Sequence, residues 1–272
     1  PLWSSSTYAQ FRVMKLAREK GVKVLLDGQG GDELFAGYVP YYLSFWNELK
    51  KNKDQSLHQE KTAFEHLGNP QRFALKEGLK GKLEASSAFL RTLKDPGLRF
   101  LNTDFLKSYA RPPKIQKKYA TLNRHLAAEF SNTRLKLYLK CEDRCGMWHS
   151  VESRTPFADD LPLINYVFSV SGTFKIQKGV LKHLMREAVK DVLPSDVYAR
   201  KDKMGYITPH NEWMRLLSAD LQKLDFSSIS PFLNKAFFDK NASRLLVPNT
   251  DKEQFLAFKI ITLNRWKSLF SL

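Results

Sequence analysis

The densest chemistry in the sequence lies at Asp27-Gly28-Gln29-Gly30-Gly31-Asp32-Glu33. Three glycines in four positions let the backbone take positive φ and approach a ligand closely. Successive N–H groups in such a turn form a nest that favours anions. Two carboxylates directly behind an anion cradle would repel bare phosphate. They suit phosphate bridged through Mg²⁺, which binds one or two carboxylates together with phosphate oxygens and waters. The competing reading is a tight turn whose Asp32 and Glu33 simply cap the next helix. The segment is not a common phosphate loop. It lacks the Lys-Ser/Thr pair of a P-loop, and its glycine spacing is not that of the dinucleotide fingerprint.

Other residues of chemical type lie downstream. Glu142, Asp143, Arg144, Glu152 and Arg154 form a dense charged block. It reads as a buried salt-bridge network, or Arg144 and Arg154 grip phosphate or carboxylate in bidentate fashion. Cys141, Cys145 and His149 fall at i, i+4 and i+8 on one helix face. They spread over about 12 Å of helix, too far for one metal ion, and read as small buried side chains. Tyr41, Tyr42, Phe45 and Trp46 precede Lys50, Lys51 and Lys53. Aromatic and basic residues together suit nucleic acid, but at this helical spacing they read as a core face with a solvated tail.

The elements that must position these groups follow from periodicity and punctuation. Ser4 to Thr7 open a helix that Gly21 closes, with Phe11, Met14, Leu16 and Ala17 as its apolar stripe. Val22 to Leu26 is a short apolar run suited to a buried parallel strand, and it leads straight into the glycine-rich turn. The carboxyl end of such a strand is where open α/β sheets bind ligands. Segments near 38–51, 56–66, 70–83, 117–130, 133–148, 180–192, 209–222 and 251–269 read as helices separated by prolines. A lone parallel strand needs neighbours, so the rest of the sheet is expected upstream of Pro1.

Composition narrows the class. The 272 residues are 43% hydrophobic and 26% charged, as in ordinary globular proteins and unlike disordered ones. Two cysteines make no disulfide framework and suit a reducing compartment. No run approaches the roughly 18 apolar residues of a membrane span. The 44 Lys and Arg exceed the 28 Asp and Glu by 16, which invites nucleic acid. Most of that excess, +11, falls in 47–140, away from the glycine-rich turn. The start at Pro1 lacks the features of a signal peptide and reads as a cut through a longer protein.

Val24 through Tyr38 resembles the second signature of the synthetase domain of glutamine-dependent asparagine synthetases. Three further blocks are similar in the same order: Glu142 through Asp159, Gly179 through Ala188, and Arg200 through Tyr206 with Pro209 and Trp213. The resemblance implies an α/β fold of the adenine-nucleotide α-hydrolase (ATP-pyrophosphatase) type. Residues 1–272 would be the C-terminal portion of that domain, predominantly helical with a remnant of parallel sheet. It implies adenylation of a carboxylate, most simply the aspartate side chain, by ATP and Mg²⁺. Ammonia from a glutaminase domain in cis then gives asparagine, AMP and pyrophosphate.

In this pattern Asp27, Gly28, Gly30 and Gly31 lie against ATP and pyrophosphate, and Arg144 joins them through its guanidinium. Asp32 holds the metal, while Gln29 and Lys182 are the catalytic positions. The same resemblance implies a cytoplasmic enzyme of small-molecule substrates, with no membrane or nucleic-acid partner, and leaves a homodimer open.

Two departures qualify this. The Ser-Gly-Gly-x-Asp-Ser phosphate loop and the cysteine-nucleophile glutaminase domain are absent from the sequence. The chain alone is therefore expected neither to make asparagine nor to bind ATP tightly. Gln29 stands where well-known members carry Glu, and Gln cannot act as a base. That opens other acceptors on the same scaffold, such as sugar acids of surface polysaccharides or β-lactam precursors. A tRNA-binding relative of the fold is the remaining alternative.

Overall fold

The computed structural model describes residues 5–67, 99–109, 119–200, 208–246 and 251–270. Helix α1 (Ser5–Glu19) leads to strand β1 (Val24–Leu26), followed by α2 (Gly31–Phe35), α3 (Tyr41–Lys51) and α4 (Leu57–His66). Next come α5 (Thr103–Tyr109), α6 (Leu122–Asn132), α7 (Arg134–Trp148) and strand β2 (Glu152–Arg154). The remaining helices are α8 (Pro156–Asp159), α9 (Leu161–Ser169), α10 (His183–Val189), α11 (Ser195–Ala199), α12 (His210–Leu216), α13 (Ser218–Leu221), α14 (Lys235–Leu246) and α15 (Asp251–Phe270). The expected helix over 70–83 and the 201–207 part of the last block lie outside the described residues.

The chain divides into two compact units. One comprises 13–84 and 117–205; the other comprises 1–12, 85–116 and 206–272. The second has its own core of Phe100, Met214, Ile229, Leu233, Phe238 and Ile260. Every residue of the candidate site belongs to the first.

In the first unit, Gly21 at φ 75 ends α1, with the Val22 N–H donating back to the Ala17 carbonyl at 2.9 Å. Met14 and Ala17 are buried as the stripe requires, but Leu16 faces solvent. The strand expectation needs two corrections. Strand β1 has a partner within the chain: β2 pairs with it in parallel, Val24 opposite Glu152 and Leu26 opposite Arg154. Glu-Ser-Arg carries no apolar alternation, so its strand character comes from its neighbour and not from its own propensity. Strand β1 is also not a buried strand here, since Val24 is 41% and Leu26 78% exposed.

The aromatic run behind the turn is core. Tyr41, Tyr42, Phe45 and Leu49 of α3 pack with Leu122 and Leu126 of α6, Phe64 of α4 and Ile176. Lys50, Lys51 and Lys53 stay exposed at the end of α3. Spacing at i, i+4 and i+8 sets Tyr41, Phe45 and Leu49 on one stripe, and all three are at most 2% exposed.

Candidate functional site

The turn begins where the parallel ladder ends. The Asp27 N–H donates to the Arg154 carbonyl at 2.8 Å, and the Asp27 carboxylate then accepts the Gln29 N–H at 2.8 Å. The Gly31 N–H donates to the Gly28 carbonyl at 3.2 Å. Two N–H groups of the expected anion nest are thus engaged inside the turn. Gly30, at φ 92, packs so closely on Phe157 and Ala158 that a side chain there would crowd both. In this conformation the glycines serve close packing as much as ligand approach.

Helix α2 starts within the turn and lasts five residues. Ala36, at φ 62, stops it, and the Gly37 N–H donates back to the Asp32 carbonyl at 2.7 Å. This return brings Gly37 beneath the Asp32 side chain. Across from it stands Lys182, whose Nζ lies 2.6 Å from Asp32 Oδ1. Two positions 150 residues apart, both given roles by the resemblance, therefore meet. A Cβ at Gly37 would overlap both the Asp32 carboxylate and the Lys182 stem.

The backbone bearing Lys182 is tightly held. Lys178, Gly179 and Lys182 all have positive φ, a conformation that costs the two lysines energy and requires support from the surroundings. Glu60 of α4 accepts the Lys178 and Gly179 N–H groups at 2.8 and 3.0 Å. The Tyr42 hydroxyl donates to the Gly179 carbonyl at 2.6 Å, and the His183 N–H donates to the Lys175 carbonyl at 2.9 Å. Farther along, the Arg186 guanidinium donates to the carbonyls of Leu181, Tyr198 and Arg200. Lys182 consequently precedes α10 instead of lying inside a helix over 180–192.

Acidic side chains underlie the turn. Glu33 is buried and accepts the Tyr38 hydroxyl at 3.0 Å. Burial holds its carboxyl above the usual carboxylate range, and the neighbouring Asp32 charge adds to the shift. Glu142 of α7 is also buried, 2% exposed, with the Ser153 hydroxyl donating to it at 2.7 Å.

The rest of the charged block is not the expected buried network. Asp143, Arg144, Glu152 and Arg154 are exposed, and Arg154 pairs with Glu152 at the surface at 2.7 Å. Arg144 stands two residues beyond Glu142, on a different face of α7. Cys145 is buried, whereas Cys141 is only half-buried.

Glu60, Tyr42, Gly37 and Glu142 were not singled out as site residues by motif reasoning. Only the position of Gly37 and Glu142 inside matched blocks could have flagged them. Among the described residues no group of three or more His, Cys, Asp or Glu could cage a metal. One carboxylate facing a lysine fits a hard cation shared with phosphate oxygens, and not an all-protein site.

The family model described as asparagine synthase matches residues 1–268. The chain belongs to the asparagine synthase family. It is 25% identical over 239 residues to asparagine synthetase [glutamine-hydrolyzing] 1 of Bacillus subtilis (strain 168), covering 79% of this chain and 35% of that protein. A relative in Mycobacterium tuberculosis (strain ATCC 25618 / H37Rv), provisionally named for the same activity, is 28% identical over 229 residues, covering 75% of this chain and 32% of its own length. Asparagine synthetase [glutamine-hydrolyzing] 3 of Bacillus subtilis (strain 168) is 32% identical over 83 residues, which is 30% of this chain and 13% of that protein. The chain spans about a third of the length of the first and second of these relatives. The described residues are mostly helical with a small parallel sheet, compatible with an α/β fold. No helix among the described residues is long and apolar enough to cross a membrane.

Proposed function

We propose that this chain carries part of the adenylating site of an ATP-dependent amidoligase of the ATP-pyrophosphatase type. The observation that carries the reading is the Asp32–Lys182 pair at the carboxyl end of a parallel strand, beside a glycine-rich turn. A substrate carboxylate oxygen attacks the α-phosphorus of ATP, the bond to the β-phosphate breaks, and pyrophosphate leaves. The nitrogen of glutamine-derived ammonia then attacks the activated carbonyl, AMP leaves with the bonding pair, and the nitrogen sheds a proton. Aspartate is the acceptor proposed first, giving asparagine.

Such a reaction needs charge neutralisation more than covalent help from the protein. The backbone of Asp27, Gly28, Gly30 and Gly31 lies against the nucleotide. Lys182 neutralises charge developing on the phosphates, and Arg144 contributes a guanidinium from α7. Asp32 would hold Mg²⁺, which supplies further neutralisation of pyrophosphate. A glutaminase domain supplies the ammonia, and the enzyme works in the cytoplasm. Gln29, unable to act as a base, is consistent also with a different carboxylate as acceptor.

The test is pyrophosphate release by the full-length protein with ATP, Mg²⁺ and a panel of acids that includes aspartate. Asp32→Asn and Lys182→Ala should each lower turnover by about 10²-fold or more. A near-normal rate in either variant removes its assigned role. Turnover with another acid but not aspartate redirects the acceptor assignment.

A further inference from the structure

Lys182 carries the cationic half of the pair, yet its backbone sits where a lysine is strained, at φ 57. Its two backbone dihedrals are set by the peptide planes on either side of it. One residue holds both planes. The Arg186 Nε donates to the Leu181 carbonyl at 3.1 Å, which fixes the plane entering Lys182. The Arg186 backbone N–H donates to the Lys182 carbonyl at 2.9 Å, which fixes the plane leaving it.

The guanidinium is itself anchored at its far end. Nη1 donates to the Tyr198 carbonyl at 2.7 Å and Nη2 to the Arg200 carbonyl at 2.6 Å. These carbonyls belong to the last turn and the C-cap of α11, where intrahelical partners run out and a cation is favoured. The Tyr198 hydroxyl donates to Glu187 Oε1 at 2.9 Å and ties α11 to α10 a second time. Leu184 and Met185 of α10 pack against the cluster of Leu34, Phe35 and Val167, and the first two of these lie on α2, the helix that carries Asp32. Apolar contacts thus seat α10 beside α2, and Arg186 sets the direction of the residue just before α10.

We propose that Arg186 is a positioning residue that holds Lys182 in its left-handed conformation and so aims Nζ at Asp32. The task needs a planar fork. An ammonium at position 186 is a compact point charge and cannot hold three carbonyls from separate segments. Releasing the Leu181 carbonyl lets its peptide plane turn and lets Lys182 relax to negative φ, which redirects the side chain away from Asp32. The hydrogen bonds to the three carbonyls are part-buried or exposed, so water replaces the guanidinium and the fold survives its loss. The hold on Lys182 stands on this geometry; its effect on turnover rests on the amidoligase reading.

Brief acylation of the full-length protein with acetic anhydride, read lysine by lysine by mass spectrometry, tests the hold directly. Lys182 should label several-fold faster in Arg186→Ala than in wild type, and Arg186→Lys should show most of the same rise. Lys175 is fully buried and reports on the fold, so it should stay protected in both variants. If only Arg186→Ala exposes Lys175, the same two rates in Arg186→Lys decide. A wild-type rate at Lys182 overturns the positioning role. Labelling of Lys175 in both variants also overturns it, because Arg186 then supports the whole fold and not one side chain.

In the pyrophosphate-release assay Arg186→Ala should lower kcat about tenfold or more, with the KM for the acceptor acid within about threefold of wild type. In a Lys182→Ala background the same substitution should cost less than about twofold further, since a lysine that is gone cannot be misaimed. Effects that multiply in the double variant overturn an action through Lys182. Failure of the wild-type protein to release pyrophosphate with any acid overturns the amidoligase reading instead, and the labelling rates still decide the positioning role.

Discussion

Gly37 leaves room for the Asp32–Lys182 pair and little else. The neighbours a methyl would meet are side-chain atoms that can move, so Gly37→Ala should fold with a loss of about 1 kcal/mol. The pair would be pushed off its position, and misplacements of this order cost function far more than stability. In the pyrophosphate-release assay Gly37→Ala should fall about tenfold or more, with a melting temperature within a few degrees of wild type. A fully active variant would show that the pair tolerates displacement. At this scale the sequence was legible only in part. Asp32 and Lys182 were chosen through the resemblance, since an isolated lysine carries no signal of its own. Glu60 was not legible, because a buried acid looks like any other glutamate until its neighbours are known, whereas Glu142 alone of the charged block is buried as that block was expected to be.

At the scale of elements, the segment bearing Lys182 is fastened to α4 more firmly than its own sequence could manage. Glu60 accepts two backbone N–H groups from a turn with successive positive φ values, and Gly179 packs directly on the backbone of Ala63 and Phe64. Hydrogen bonds to a buried charge contribute about 1.5–3 kcal/mol each. Glu60→Ala should therefore destabilise the protein by about 3 kcal/mol in urea unfolding, and Glu60→Gln by about half of that, since one amide oxygen still accepts. Equal, small losses in both variants would mean that the turn holds without the clamp. Helices were the legible elements, as α3, α4, α6 and α7 follow apolar spacing in the chain. Strand β2 was hidden because three polar residues acquire strand geometry only from their partner. Helix α9 was overlooked despite a readable start, with Asp160 accepting the Leu163 N–H and Pro162 in the first turn.

For the whole molecule, the charge excess does not mark the glycine-rich turn, which lies in residues 1–46 with 5 basic and 4 acidic side chains. The buried charge that bears on overall stability is Lys175. It is fully buried, donates to Asn123 Oδ1 at 2.7 Å, and lies 5.0 Å from the Phe168 ring centre. Burial pulls its ammonium down to about 8, against the opposing charge of Glu48. Below that pH the lysine is charged in both folded and unfolded chains, and the full cost of burying the charge is felt. Between about 8 and the ordinary value of 10.5 the folded chain has released the proton that the unfolded chain keeps, so this group adds stability as pH rises. Relative to Lys175→Met, the wild type should gain on the order of 3 kcal/mol between pH 7 and pH 10.5 in urea titrations. Loss of the bond to Asn123 is independent of pH and cancels in that comparison. A constant difference between the two proteins would place the lysine charge in contact with water.

The pairing of Val24 with Glu152 has a consequence in time as well as space. It closes a loop of more than a hundred residues, at an entropic cost of about 4 kcal/mol that no local contact offsets. The helices on either side form from near neighbours, whereas the strand pair must wait until both have docked. The glycine-rich turn and the ladder bond from Asp27 to Arg154 both hang on that pairing. A chain emerging during synthesis cannot complete the turn's anchorage until residue 154 has been made, more than a hundred residues after the turn itself.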